Sequence, residues 1–298
     1  MDPVVFVLVA GAAVLHVTWN VLLKTAGDPL RAAAVGMATA AAVICPTAVV
    51  GWLFVGRPAI PPESLGLGVV SGAIEALYFS FLAAAYRRGD LSLVYPLARG
   101  TAPLLAVALG VGVLHERLGT IGFVGVACLL IGLLALQRPW RFLRAAGREG
   151  GGAAGFALLT GVMIAAYSAV DRVGVRETQP WIYSALIWAS CTVFLWSYVW
   201  VDRGRTSSRT PMAGPTTPFS APRAAVGGLI TLSAYLLILV AFTVAPLTAV
   251  APLRESAIVL ASGWGAFRLG EAADRAEAWR RIASAGLVVV GAILLALG

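Results

Sequence analysis

Charge is scarce in this chain. Of its 298 residues only 12% are charged, against about a quarter in a soluble domain. So little charge cannot coat a water-facing surface, which excludes an ordinary soluble fold. Histidine and cysteine are scarcer still, with two and three residues. His16 and His115 stand far apart, and Cys45, Cys128 and Cys191 lie singly inside apolar runs. That spacing offers no metal-ligand cluster, and nucleophile elbows and phosphate-binding glycine loops are missing too. The sequence therefore predicts no catalytic residues, no bound metal and no cofactor. The thiols read as small core residues that do not report on redox compartment. A basic leader region is also lacking: the first apolar run begins after Asp2-Pro3 and continues to Leu23, which reads as a retained first helix.

What is present is apolar, 59% of the chain, with a formal net charge of +8. The basic residues form short caps between apolar runs rather than one patch, which argues against a nucleic-acid partner. In a bilayer such caps set orientation and meet anionic headgroups. Ten runs are long enough to span: about 3–23, 30–54, 65–86, 91–114, 119–137, 153–173, 180–201, 224–243, 247–267 and 279–297. Pairs such as Asp28-Pro29, Arg57-Pro58 and Gln179-Pro180 punctuate them. The four-arginine connection from Arg138 to Gly152 divides the spans five and five, and the polar stretch from Asp202 to Pro222 reads as a mobile loop.

The halves echo one another. Ser92-Leu93-Val94-Tyr95-Pro96-Leu97 returns as Thr248-Ala249-Val250-Ala251-Pro252-Leu253, an offset of 156, with an arginine shortly after each Pro-Leu. More loosely, Trp19-Asn20 and Lys24 fall against Tyr167-Ser168 and Arg172, while Gly125 and Gly132 fall against Ser284 and Gly291. Five spans per half force the copies into opposite orientations. The predicted fold is an all-α integral membrane protein of ten transmembrane helices, two inverted five-helix repeats over residues 1–145 and 146–298. Such repeats are a hallmark of secondary transporters, whose sites lie near the midplane. Dense glycine and alanine suit close helix packing in lipid. The Lys and Arg residues concentrate in the odd-numbered connections, which places those in the cytoplasm and both termini outside.

Ionisable groups inside a span are candidate functional groups. Arg99, with Tyr95 one turn earlier, and Arg254 either face a central cavity as a fork for an oxyanion or pair with Glu255 or Glu75. Glu75, with Tyr78 one turn on, and Glu255 are carboxylates that could take a coupling proton or hold an amine. His16, Asn20 and Lys24 share one face of span one, with Lys24 reaching for the interface. Tyr167, Ser168, Tyr183, Trp188 and Tyr235 are polar or aromatic groups suited to belts, packing or a cavity wall. Asp171-Arg172 reads as a capping ion pair at the end of span six. Glu116 and Glu271 read as structural carboxylates at the starts of spans five and ten. The candidate substrate-binding set is Arg99, Arg254, Glu75, Glu255, His16, Asn20, Tyr78, Tyr95, Tyr167 and Tyr235.

The Ser/Thr-x-Val-x-Pro-Leu segments, with His115-Glu116-Arg117-Leu118-Gly119 and Leu269-Gly270-Glu271 after them, resemble the drug/metabolite transporter superfamily, EamA type, over essentially the whole chain. Leu15-His16-Val17-Thr18-Trp19-Asn20 with Lys24 resembles a bacterial subgroup associated with phosphonate-utilisation genes. The resemblance implies a ten-helix basket in the inner (plasma) membrane, lined by spans one, three, four, six, eight and nine. It also implies small-metabolite traffic, often outward, and cytoplasmic termini, opposite to the charge count. The partners are then a small-molecule substrate, the bilayer and protons as a coupling ion, in a monomer or homodimer. A membrane enzyme acting on a lipid-linked substrate and a non-transporting scaffold are the other readings.

Overall fold

The computed structural model describes residues 2–88, 91–138, 140, 151–206, 218–255 and 275–297; within these, some side chains lie outside the description, among them Lys24, Tyr95 and Pro96. Ten helices follow in order: α1 Pro3–Lys24, α2 Pro29–Phe54, α3 Pro62–Arg88, α4 Leu91–Gly112, α5 Thr120–Gln137, α6 Gly151–Gly174, α7 Pro180–Thr206, α8 Ala221–Val244, α9 Leu247–Glu255 and α10 Arg275–Leu297. Six of them are long and apolar enough to cross a bilayer, and α4, α5 and α10 contain shorter apolar stretches. Large apolar side chains face outward, with Val7 73%, Phe54 88% and Trp200 79% exposed. Such a surface suits lipid, where the helix satisfies its own backbone and the side chains meet acyl tails. This is a multi-pass membrane protein.

Local sequence explains where helices start. Asp2 accepts a hydrogen bond from the Val4 amide at 2.8 Å, and Asp28 from the Arg31 amide at 3.1 Å. Each is followed by proline at the first helical position, where its missing N–H is no loss. The internal prolines do not break their helices. α4 runs through Pro96 and Pro103, and α9 runs through Pro252. Each such proline removes one hydrogen bond to the carbonyl four residues back, a defect that membrane helices tolerate when neighbours cover it. The loop expected from Asp202 is also shorter, because α7 continues to Thr206.

Packing runs mainly between the two halves. α3 lies on α6 and α7, while α8 lies on α1 and α2; α4 lies on α6, while α9 lies on α1. The remaining large contacts join α2 to α7, α4 to α9 and α5 to α10. Glycine sets the closest approaches. A Cβ on Gly125 would sit 2.9 Å from the Gly291 carbonyl oxygen, and one on Gly132 would sit 2.9 Å from the Ser284 carbonyl oxygen. As residue number rises along α5 it falls along α10, so the two helices are antiparallel. At the crossing of α2 and α8, Gly36 and Gly228 place backbone on backbone, and a Cβ on Gly36 would be 3.2 Å from the Gly228 Cα.

Candidate functional site

Near the middle of the bundle, α1, α3, α6, α7, α8 and α9 line a small cavity. Each long helix contributes one face. α1 presents Ala12, His16 and Trp19, α3 presents Glu75, Tyr78 and Phe79, and α8 presents Thr231, Ala234, Tyr235 and Ile238. These spacings of three and four residues place each set on one side of its helix. Tyr167, Trp188 and Arg254 complete the lining. The rings form a chain of edge contacts, with Tyr78 to Tyr167 at 5.8 Å, Tyr167 to Tyr235 at 5.7 Å and Trp188 to Tyr235 at 5.9 Å between centroids. Edge-to-face pairing of this kind fixes ring positions while leaving π faces for a ligand.

Two charged groups reach this aromatic wall. Glu75 is buried, and its Oε2 has no hydrogen-bond partner among the described residues. Arg254 is buried too, and its Nε lies 3.4 Å from Glu255 Oε1. Glu255 is held more tightly by Arg99, whose Nη1 donates to Oε1 at 2.6 Å and to Oε2 at 2.8 Å. The carboxylate of Glu255 therefore lies between two guanidiniums, and Arg99 and Glu255 stand outside the cavity lining. The offset of 156 that relates Pro96 to Pro252 makes Glu255, rather than Arg254, the counterpart of Arg99. The strong ion pair thus joins equivalent positions of the two echoed segments.

The other sequence candidates divide. Tyr78, Tyr167, Tyr235 and His16 line the cavity. The Trp19 indole N–H donates to His16 Nδ1 at 3.0 Å, which leaves Nε2 as the nitrogen without a partner among the described residues. Asn20 turns back on its own helix, its amide donating to the His16 carbonyl at 2.8 Å. The side chains of Tyr95 and Lys24, and all of Glu271, lie outside the described residues.

Two readings need correction. Asp171 and Arg172 do not cap α6 as an ion pair, because each side chain is taken by other partners. Asp171 is fully buried, accepting from the Tyr183 hydroxyl at 3.1 Å on Oδ1 and from the Tyr235 hydroxyl on Oδ2. Arg172 points the other way, donating to Glu116 Oε1 at 3.2 Å and to the Phe242 carbonyl at 2.7 Å. Glu116 in turn caps a helix from the other half, not the α5 that follows it. Its oxygens accept from the Leu247 amide at 2.8 Å and the Thr248 amide at 2.9 Å, the first donors of α9. This knot ties the turn after α4 to the ends of α6 and α8 and the start of α9, closing that end of the bundle.

Phe79, Thr231 and Ala12 were not among the sequence candidates. Their helical spacing from Glu75, Tyr235 and His16 was the available signal. Trp19, Phe79 and Thr231 also border a second, apolar chamber, which extends between α1, α2 and α8 to Arg223 at the start of α8. Arg223 donates to the Thr25 hydroxyl there. The described residues hold no grouping of three His, Cys, Asp or Glu that could bind a metal.

Comparison with known proteins agrees with this architecture. A solved crystal structure is similar over 98% of this chain and 98% of its own, with a TM-score of 0.67 at 19% identity, a likeness of fold alone. No curated protein matches the sequence closely enough to count. The model of the EamA-like transporter family matches residues 4–137, which hold α1 to α5. Over residues 4–137, a little under half of the chain, the sequence carries an EamA-like transporter domain.

Proposed function

We propose that the protein is a secondary transporter of a small zwitterionic metabolite, an amino acid or a close relative, working by alternating access in the plasma membrane. One observation carries this reading: a mid-bundle cavity bearing Glu75 and Arg254 on an otherwise aromatic wall. An ammonium group fits Glu75, whose Oε2 has no partner among the described residues, and the ring faces. A carboxylate fits Arg254, whose own contact to Glu255 is long at 3.4 Å. A purely anionic substrate fits less well, because Arg99 is committed to Glu255.

Alternating access needs two arrangements of a symmetric frame. The antiparallel crossing of α5 and α10, and the exchange of packing partners between halves, support an inverted five-helix repeat. The Glu116 knot closes one end, whereas the apolar chamber leads from the cavity towards the other. The charge count puts the chamber's end in the cytoplasm, so substrate would enter from inside and leave outward, the direction the family resemblance implies.

The test is exchange of radiolabelled substrate by the purified protein in liposomes, across amino acids, dicarboxylates, phosphonates and organic cations. A zwitterion should exchange, and Glu75→Gln and Arg254→Gln should each reduce its apparent affinity at least tenfold, about 1.4 kcal/mol. Exchange of none of these compounds, or of one at unchanged affinity in both variants, would overturn the proposal.

A further inference from the structure

We infer that Asp171 is a proton-binding site that couples a proton to the cavity through Tyr235. This rests on the transporter reading and assigns its coupling site. Asp171 is fully buried, yet it does not line the cavity. Its two oxygens are each taken by a tyrosine hydroxyl, Tyr183 of α7 on Oδ1 and Tyr235 of α8 on Oδ2. The neighbouring cation on its own helix, Arg172, is turned away to Glu116. From α3 it is faced by Ser71 and the carboxylate of Glu75, and from α9 by Arg254. The charge of α4, Arg99, is held by Glu255. The carboxylate is thus stabilised by neutral donors rather than by a closed ion pair, an arrangement that a proton can compete with.

Protonation rewrites the hydrogen bonds. A proton from water forms an O–H bond on one carboxyl oxygen, and that oxygen becomes a donor. The nearby acceptors are the two phenolic oxygens and the Ser71 hydroxyl, and a tyrosine that takes the new proton must reverse its own bond. If Tyr235 does so, its hydroxyl proton is free to point elsewhere, and its ring is part of the cavity wall. That ring touches both Tyr167 and Trp188. Occupancy of Asp171 by a proton is therefore expressed in the shape and polarity of the substrate site. Glu75 meets the substrate directly, and Asp171 acts one residue behind it.

The proton itself is the probe. Infrared difference spectra of the purified protein, titrated with pH and without any substrate, should show the carbonyl stretch of a protonated carboxyl. The band should disappear in Asp171→Asn and persist in Glu75→Gln. Tyr235→Phe and Tyr183→Phe, which keep the carboxyl and the fold of the rings, should retain the band at an altered frequency, because each removes one hydroxyl from it. No titrating band in the unaltered protein, survival of the band in Asp171→Asn, or an unchanged frequency in both Phe variants would each overturn the assignment. This titration needs no substrate, so its failure is separate from failure of the transport reading. With an exchanging substrate in liposomes, Asp171→Asn should abolish accumulation driven by a pH gradient while exchange at equal pH continues. Loss of both would mark Asp171 as structural and overturn its coupling role.

Discussion

Glu255→Gln should destabilise the protein more than Arg99→Met, although both break the same ion pair. Glu255 serves two cations: Arg99 at 2.6 and 2.8 Å and Arg254 at 3.4 Å, with both guanidiniums and the carboxylate at least 94% buried. Removing the carboxylate charge takes the shared counter-charge from two guanidiniums in low dielectric, and breaking a buried pair in this way costs about 3–5 kcal/mol. Removing Arg99 leaves Glu255 with Arg254 and takes one desolvated charge away. The loss is then nearer that of a single charged hydrogen bond, about 1.5–3 kcal/mol. The difference should be about 2 kcal/mol, and the double variant should be more stable than the sum of the single losses by about 0.5–3 kcal/mol. Unfolding of the purified protein in detergent, titrated with a denaturing detergent under reversible conditions, measures all three. Equal losses, a reversed order or strict additivity would refute a shared carboxylate between the two arginines.

Glu116→Ala removes the cap of α9 and the partner of Arg172, so it should lower stability by about 2–5 kcal/mol, the sum of a lost N-cap and one charged contact. Its effect should be non-additive with Arg172→Met in the same unfolding assay. Gly291→Leu should disrupt the α5–α10 crossing, because a Cβ there would meet the Gly125 carbonyl oxygen and the Leu129 amide nitrogen at 2.7 Å. Gly286→Leu on the same helix has open space around its Cβ position and should melt within a few degrees of the unaltered protein. Similar melting of the two variants would show that this crossing does not depend on glycine.

The sequence alone determined the class and most of the elements. Apolar runs near 20 residues admit few structures besides spanning helices, because lipid leaves backbone groups no other partner. The Asp-Pro pairs marked the starts of α1 and α2 because capping is local. Glu75, His16, Tyr78, Tyr167, Tyr235 and Arg254 were legible as candidates because polar groups inside a span are costly and so stand out. Tertiary structure decided the partners. Composition cannot say which of two arginines Glu255 prefers, since that depends on where α4 crosses α9. The direction of Asp171 was also invisible. Adjacent to Arg172 in sequence, it invites an ion pair, but the helical turn sends one side chain to the tyrosines of α7 and α8 and the other to Glu116. Glu116 caps α9 from across the bundle, a contact between halves that no local pattern encodes. Helix formation is written in neighbouring residues, whereas the pairing of charges in a bilayer is settled by which helices meet.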